Sequence, residues 1–156
     1  MPPRVLLLPV DDSDDSQRAV QFVLDNVHRP GDEVHLCVVV AGTHPVLAPG
    51  VDGIPVALED DDAATKEAAT RAAAEFMSRR FEPLMKAADA KHAFEVVRFL
   101  TDAASVGDAV ARRASELKAT LVAIAGHGKG KIAKWLLGSV TEEVVARCSV
   151  PVLLVQ

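Results

Sequence analysis

The chain has no tyrosine, one tryptophan and five phenylalanines, so aromatics are only 4% of its 156 residues while apolar residues reach 49%. A core must then come from Ala, Val and Leu, which suits parallel strands buried on both faces beneath alanine-rich helices. Cysteine is equally scarce. Cys37 and Cys148 lie in apolar segments with no partner spacing, which excludes a disulfide framework and fits small buried thiols in a reduced protein. No Cys/His cluster has zinc-site spacing. No apolar run approaches the roughly 20 residues of a membrane span, and the apolar stretch near the N-terminus is too short for a secretory signal. The net charge of −5 argues against bulk binding to nucleic acid or an anionic membrane. A soluble, cytoplasmic protein is expected, forming one domain over residues 1–156.

Five strands are predicted. Arg4–Pro9, Glu33–Val40, Thr120–Ala125 and Pro151–Val155 are near-continuous apolar runs, as buried parallel strands should be, whereas Ala93–Leu100 alternates weakly and reads as more exposed. Helical patterns separate them. The first covers Ser16–Val27, with Val20, Val23, Leu24 and Val27 on one face, acids Asp14 and Asp15 at its start and Pro30-Gly31 after it. The second covers Asp62–Ala88, with Ala69, Ala72, Ala73, Phe76, Leu84 and Ala88 as its stripe and Pro83 expected to kink or split it. Ser105–Leu117 and Ser139–Cys148 follow, opening on the capping-box patterns Ser105-Val-Gly-Asp108 and Ser139-Val-Thr-Glu142. The Pro- and Gly-rich, then acidic, segment Ala41–Asp61 reads as a long surface loop. Strict strand–helix alternation points to a doubly wound α/β fold with a parallel sheet.

The segment Gly126–Gly138 concentrates glycines and three lysines between a strand and a helix start. Glycines let a backbone approach closely, and free N–H groups at a helix N-terminus point at an anion, so this is a phosphate-binding pattern. It is not a Walker loop, because no Gly-x-x-x-x-Gly-Lys-[Ser/Thr] string occurs. Nor is it a dinucleotide fingerprint, since Gly126-x-Gly128-x-Gly130 has the wrong last spacing. Ser139 lacks the second glycine of a nucleophile elbow.

What stands there is Gly128, nine residues, then Gly138-Ser139, with Leu-Val-Ala-Ile-Ala before it and Val-Pro-Val-Leu-Leu-Val after it. This resembles the universal stress protein family, whose ATP-binding members carry Gly-x-x-Gly-x(9)-Gly-[Ser/Thr]. Val-Leu-Leu-Leu-Pro-Val-Asp11-Asp-Ser13 resembles the family's first strand and its Val-Asp-x-Ser, and Ser105-Val-Gly-Asp108-Ala-Val its third helix start. The motif's first glycine falls on Ala125, one position before Gly126. A positive φ or a close phosphate approach required there would be hindered by the alanine.

The resemblance implies a five-stranded sheet of order 3-2-1-4-5, Rossmann-like, with helices on both faces. Its winding reverses between the first and fourth strands, where ligands of such sheets sit. The resemblance further implies that Asp11 holds the ribose hydroxyls or the adenine side, and that the Val39 backbone meets the adenine edge. Gly126, Gly128, Gly138, Ser139 and Val140 would line the phosphates, with Lys129 and Lys131 adding charge and Mg²⁺ accompanying ATP. It also implies a homodimer formed through the terminal strand at 150–156, whose apolar sheet edge needs covering. Plainer roles stay open: Asp11 as a cap of the first helix or its preceding turn, Val39 as core, His127 and Trp135 as packing residues, and Lys129, Lys131 and Lys134 as a solvated face. Three functions compete. An ATP-binding dimeric switch of the stress response is favoured, a nucleotide-free dimeric interaction module comes second, and a slow ATPase last. No base, nucleophile and oxyanion donor are visibly arranged, so a non-enzymatic protein is expected.

Overall fold

A computed structural model of the chain describes residues 3–41, 46–49, 55–58, 63–99, 105–126 and 139–156. Its elements run β1 (Val5–Pro9), α1 (Asp14–Asn26), β2 (Glu33–Ala41), β3 (Val46–Pro49), β4 (Pro55–Leu58), α2 (Ala63–Ala87), β5 (Lys91–Phe99), α3 (Val106–Glu116), β6 (Leu121–Ala125), α4 (Ser139–Arg147) and β7 (Val152–Val155). Five strands pair in parallel in the order β5-β2-β1-β6-β7, which is the expected 3-2-1-4-5 order.

Alternation within β1 shows why its leucine run is needed. Leu6 and Leu8 enter a cluster with Val20, Val23 and Leu24 of α1 and Met77, Phe81 and Met85 of α2. Leu7 points to the other face and packs with Cys37, Val110 and Ala114 of α3 and Val144 of α4. A strand covered on both faces has no polar side to show, so periodicity gives way to a continuous apolar run. The outer strand β5 is covered less well, and its residues are mostly half-buried.

Helix boundaries follow capping chemistry. Ser13 is the N-cap of α1, its hydroxyl accepting the Ser16 N–H at 3.1 Å. Ser105 caps α3 in a complete capping box with Asp108. Asp89 and Lys118, both in the left-handed region, follow α2 and α3 and lead into the next strands. Ser139 is the first residue of α4 itself, so the position ahead of that helix lies outside the described residues.

Three expectations need correction. The segment expected to be a loop after β2 carries an antiparallel hairpin, β3 with β4, in register from Val46↔Leu58 to Pro49↔Pro55. Helix α2 runs through Pro83 without dividing. Pro83 is exposed, as is Arg79, whose carbonyl loses its helical partner, so water can satisfy that group while the opposite face stays packed. Of the stripe expected for α2, Ala73 is buried and Phe76, Leu84 and Ala88 pack half-buried against the core, but Ala69 and Ala72 are exposed, and Met77, Phe81 and Met85 complete the buried row. Among the described residues no helix is long and apolar enough to cross a membrane.

Candidate functional site

In a doubly wound sheet the connections leave opposite faces on either side of the point where the winding reverses, and the strand ends there splay open. Here that point lies between β1 and β6, and a cavity of about 270 Å³ opens at their carboxyl ends. Pro9, Val10 and Asp11 come from the end of β1, Cys37, Val38 and Val39 from β2, and Ile124 and Ala125 from β6. Ser16 of α1, Val106 of α3 and Ser139, Val140 and Thr141 of α4 complete the wall. Residues from both ends of the chain thus meet in one cavity near the size of small-molecule sites, about 300–1,000 Å³.

Asp11 occupies the turn between β1 and α1. Its Oδ1 accepts the Ser16 hydroxyl at 2.7 Å and the Ser13 hydroxyl, and its own N–H donates to Ser16 Oγ at 3.1 Å. The helix cap is Ser13, so Asp11 acts on the cap rather than as the cap, while its residue lines the cavity. This orients one carboxylate edge by two hydroxyl donors, a common way to preset an acceptor. Val39 is half-buried, packs against the α3 and α4 cluster and lines the cavity as well.

Ala125, which stands at the motif's first glycine position, is the last residue of β6 and pairs with Val155. It is 5% exposed and lies in extended backbone, not the left-handed region. An alanine there meets no conformational obstacle, so the positive-φ objection falls away. Gly126 is not on the cavity wall. Its N–H continues the ladder to the Val155 carbonyl at 2.7 Å, and a Cβ on it would meet Leu154 Cδ1 at 3.2 Å and Gln156 Cγ at 3.3 Å. The pairing of β6 with β7 holds this glycine beside β7. Gly128, Lys129, Lys131 and Gly138 lie outside the described residues.

The structure adds wall residues that pattern reading did not nominate: Cys37, Val38, Ile124, Ser16 and Thr141. Position near the carboxyl end of its strand was the available signal for Ile124, whereas Cys37 lies mid-strand opposite Pro9, the last residue of β1. Cys37 is fully buried, and burial, with the Glu95 charge adding to it, pushes its thiol up to about 12. It stays protonated at neutral pH and offers no nucleophile to the cavity.

A wider cleft of about 550 Å³ lies along β5 and α3, lined by Glu95, Val97, Arg113 and Glu116 among others. Three of its charged groups engage one another: Arg113 donates to Glu95 at 2.6 Å and to Glu116 at 3.0 Å, and His35 Nδ1 sits 2.7 Å from Glu95. Among the described residues, none of the motif residues lines it.

The family model described as universal stress protein family matches residues 3–156. The chain belongs to the universal stress protein family. No curated protein matches it by sequence. Among solved structures it is similar to a universal stress protein from Archaeoglobus fulgidus, with TM-score 0.69 and 19% identity over 98% of each chain. A universal stress protein in complex with cAMP matches with TM-score 0.62 and 23% identity, over 100% of this chain and 98% of that one. The universal stress protein from Archaeoglobus fulgidus in complex with dAMP matches with TM-score 0.60 and 18% identity over 100% of both chains. At these identities the likeness establishes the shared fold.

Proposed function

We propose that the protein is an adenine-nucleotide-binding regulator of the stress response, with ATP as its ligand and a dimer as its working form. One observation carries this reading: Asp11, Val39, Ser139 and Val140, nominated by the family resemblance from three separate segments, line a single cavity at the switch point. Universal stress proteins of the same fold have been solved with cAMP and with dAMP, two adenine nucleotides.

The chemistry of the wall suits such a ligand. The mostly apolar walls, from Val10, Val38, Val39, Ile124 and Val140, suit a flat heteroaromatic base. The oriented Asp11 carboxylate is an acceptor for vicinal ribose hydroxyls. Ser139 at the first turn of α4 marks where helix N–H groups favour negative charge, the natural place for phosphates. Gly128, Gly138, Lys129 and Lys131 would close around those phosphates, and Mg²⁺ would enter with the triphosphate rather than through a protein cage. Among the described residues no group of three or more His, Cys, Asp or Glu is placed to hold a metal ion.

The ligand would act by binding rather than by turnover. The one described thiol on the wall is held protonated, and the Ser16 hydroxyl that donates to Asp11 is buried and also accepts the Asp11 N–H, so it serves the turn. Dimerisation would use β7, the edge strand of the sheet, whose four residues are each half-buried.

Mass spectrometry of the small molecule that co-purifies, followed by titration with ATP and Mg²⁺, tests the reading. Micromolar binding, weakened at least tenfold in Asp11→Ala, is the expected result. Absence of binding at millimolar ATP in a folded sample removes it. Sedimentation at micromolar protein tests the dimer.

A further inference from the structure

Helix α2 contributes nothing to the cavity wall, yet one of its side chains reaches the turn that carries Asp11. Arg80 Nε donates to Asp12 Oδ1 at 2.9 Å. Its Nη1 donates to the Ser13 carbonyl at 3.2 Å, to Asp14 Oδ1 at 3.0 Å and to Gln17 Oε1 at 2.9 Å. All four acceptors belong to the β1–α1 turn or the start of α1. The Arg80 side chain is only 21% exposed, whereas the neighbouring Arg79 is 73% exposed and meets Asp12 at 3.4 Å.

The Ser13 carbonyl held by Arg80 belongs to the residue whose hydroxyl both caps α1 and donates to Asp11 Oδ1. The path from α2 to the cavity carboxylate is therefore one residue long. The turn also crowds Asp11, Asp12, Asp14 and Asp15 together, and Arg80 meets two of those four acids. A planar guanidinium presents five donors in a fixed fork, whereas an ammonium has three that rotate. A lysine ammonium keeps the charge but is a point donor on a flexible stem.

We infer that Arg80 is a positioning residue of the nucleotide site, clamping the β1–α1 turn from α2 so that the Asp11 carboxylate is preset for the ligand's ribose. This rests on the nucleotide reading of the cavity. A residue that acts only by lowering the negative charge near the site would favour a polyanion and leave a neutral nucleoside indifferent. A residue that presets Asp11 must affect both.

The test uses the full chain with Arg80→Met and Arg80→Lys, folding being checked by circular dichroism and a thermal melt. ATP and adenosine are titrated into each, and amide hydrogen exchange over residues 10–17 is followed in ligand-free protein. The inference expects adenosine to weaken about tenfold in Arg80→Met, the scale of hydrogen bonds to charged groups, and ATP at least as much because the positive charge is lost too. Arg80→Lys should still weaken adenosine severalfold, and exchange over the turn should speed up in both variants. Adenosine affinity equal to wild type in both variants overturns the inference, even if ATP affinity falls. So does unchanged exchange over the turn. If wild-type protein binds neither ligand, the nucleotide reading fails and takes Arg80's role in that site with it. Exchange in the ligand-free variants then still reports whether Arg80 holds the turn.

Discussion

A Cβ placed on Gly107 would stand 2.4 Å from Glu143 Cβ and 3.0 Å from the Glu143 carbonyl carbon. Helices α3 and α4 meet through that missing side chain, and Arg147 Nη1 reaches Asp108 Oδ1 at 2.8 Å beside it. Val106 of α3 and Ser139, Val140 and Thr141 of α4 line the cavity, so this crossing sets the spacing of its far wall.

Gly107→Ala should therefore destabilise the protein, although alanine is the better helix former by about 1 kcal/mol. Backbone cannot yield as a long side chain does, and overpacking costs about 1–3 kcal/mol. A net loss of about 1–2 kcal/mol is expected in urea unfolding, with ATP affinity falling in the folded variant. Unchanged stability would mean that α4 slides without cost.

Asp32 provides a pH-dependent contrast at the opposite end of the sheet. It accepts from Arg4 Nε at 2.9 Å and from the Arg29 N–H at 2.8 Å, and Arg4 also donates to the Val27 carbonyl at 2.9 Å. The Arg4 hydrogen bonds hold this carboxyl below the usual carboxylate range against the opposing effect of burial, with the Arg29 N–H assisting. A lowered folded pKa gives stability that is fully present above the unfolded value, about 3.9, and is lost as pH falls through the folded one. Asp32→Asn should cost about 2 kcal/mol at pH 7, and the gap to wild type should close below about pH 4 in pH-dependent denaturation. Nucleotide affinity should not change.

The two thiols should differ. Cys37 is fully buried with its thiol pushed up to about 12, while Cys148 is half-buried and raised by burial to a lesser extent. Iodoacetamide at pH 8 should label Cys148 slowly and leave Cys37 unmodified in native protein, with both labelled in urea. Peptide mass spectrometry reads the difference, and native labelling at Cys37 would show that the cavity floor opens.

Much of the fold was legible because leucine and valine runs such as Leu6–Leu8 mark strands covered on both faces, and because Ser105 and Asp108 announce their helix start. The hairpin was not legible. Its strands are short and bounded by Pro49 and Pro55, residues that argue against strands when read locally. Pro83 misled for a related reason. Local chemistry predicts a break, but Met77, Phe81 and Met85 are packed on both sides of it and their burial outweighs one lost hydrogen bond. On the cavity wall, Asp11 and Ser139 were nominated by the family resemblance. Arg80 was not, because a contact from α2 to the β1–α1 turn has no local pattern to reveal it.

The central claim is that an adenine nucleotide occupies the cavity at the carboxyl ends of β1, β2 and β6. Amide chemical-shift mapping by NMR with added ATP and Mg²⁺ tests it most directly. The account predicts the largest shifts at Asp11, Val39, Ala125, Ser139 and Val140, with Arg113 and Glu116 in the cleft along β5 and α3 unmoved. Shifts centred on Arg113 and Glu116, or none at millimolar ATP, would contradict it.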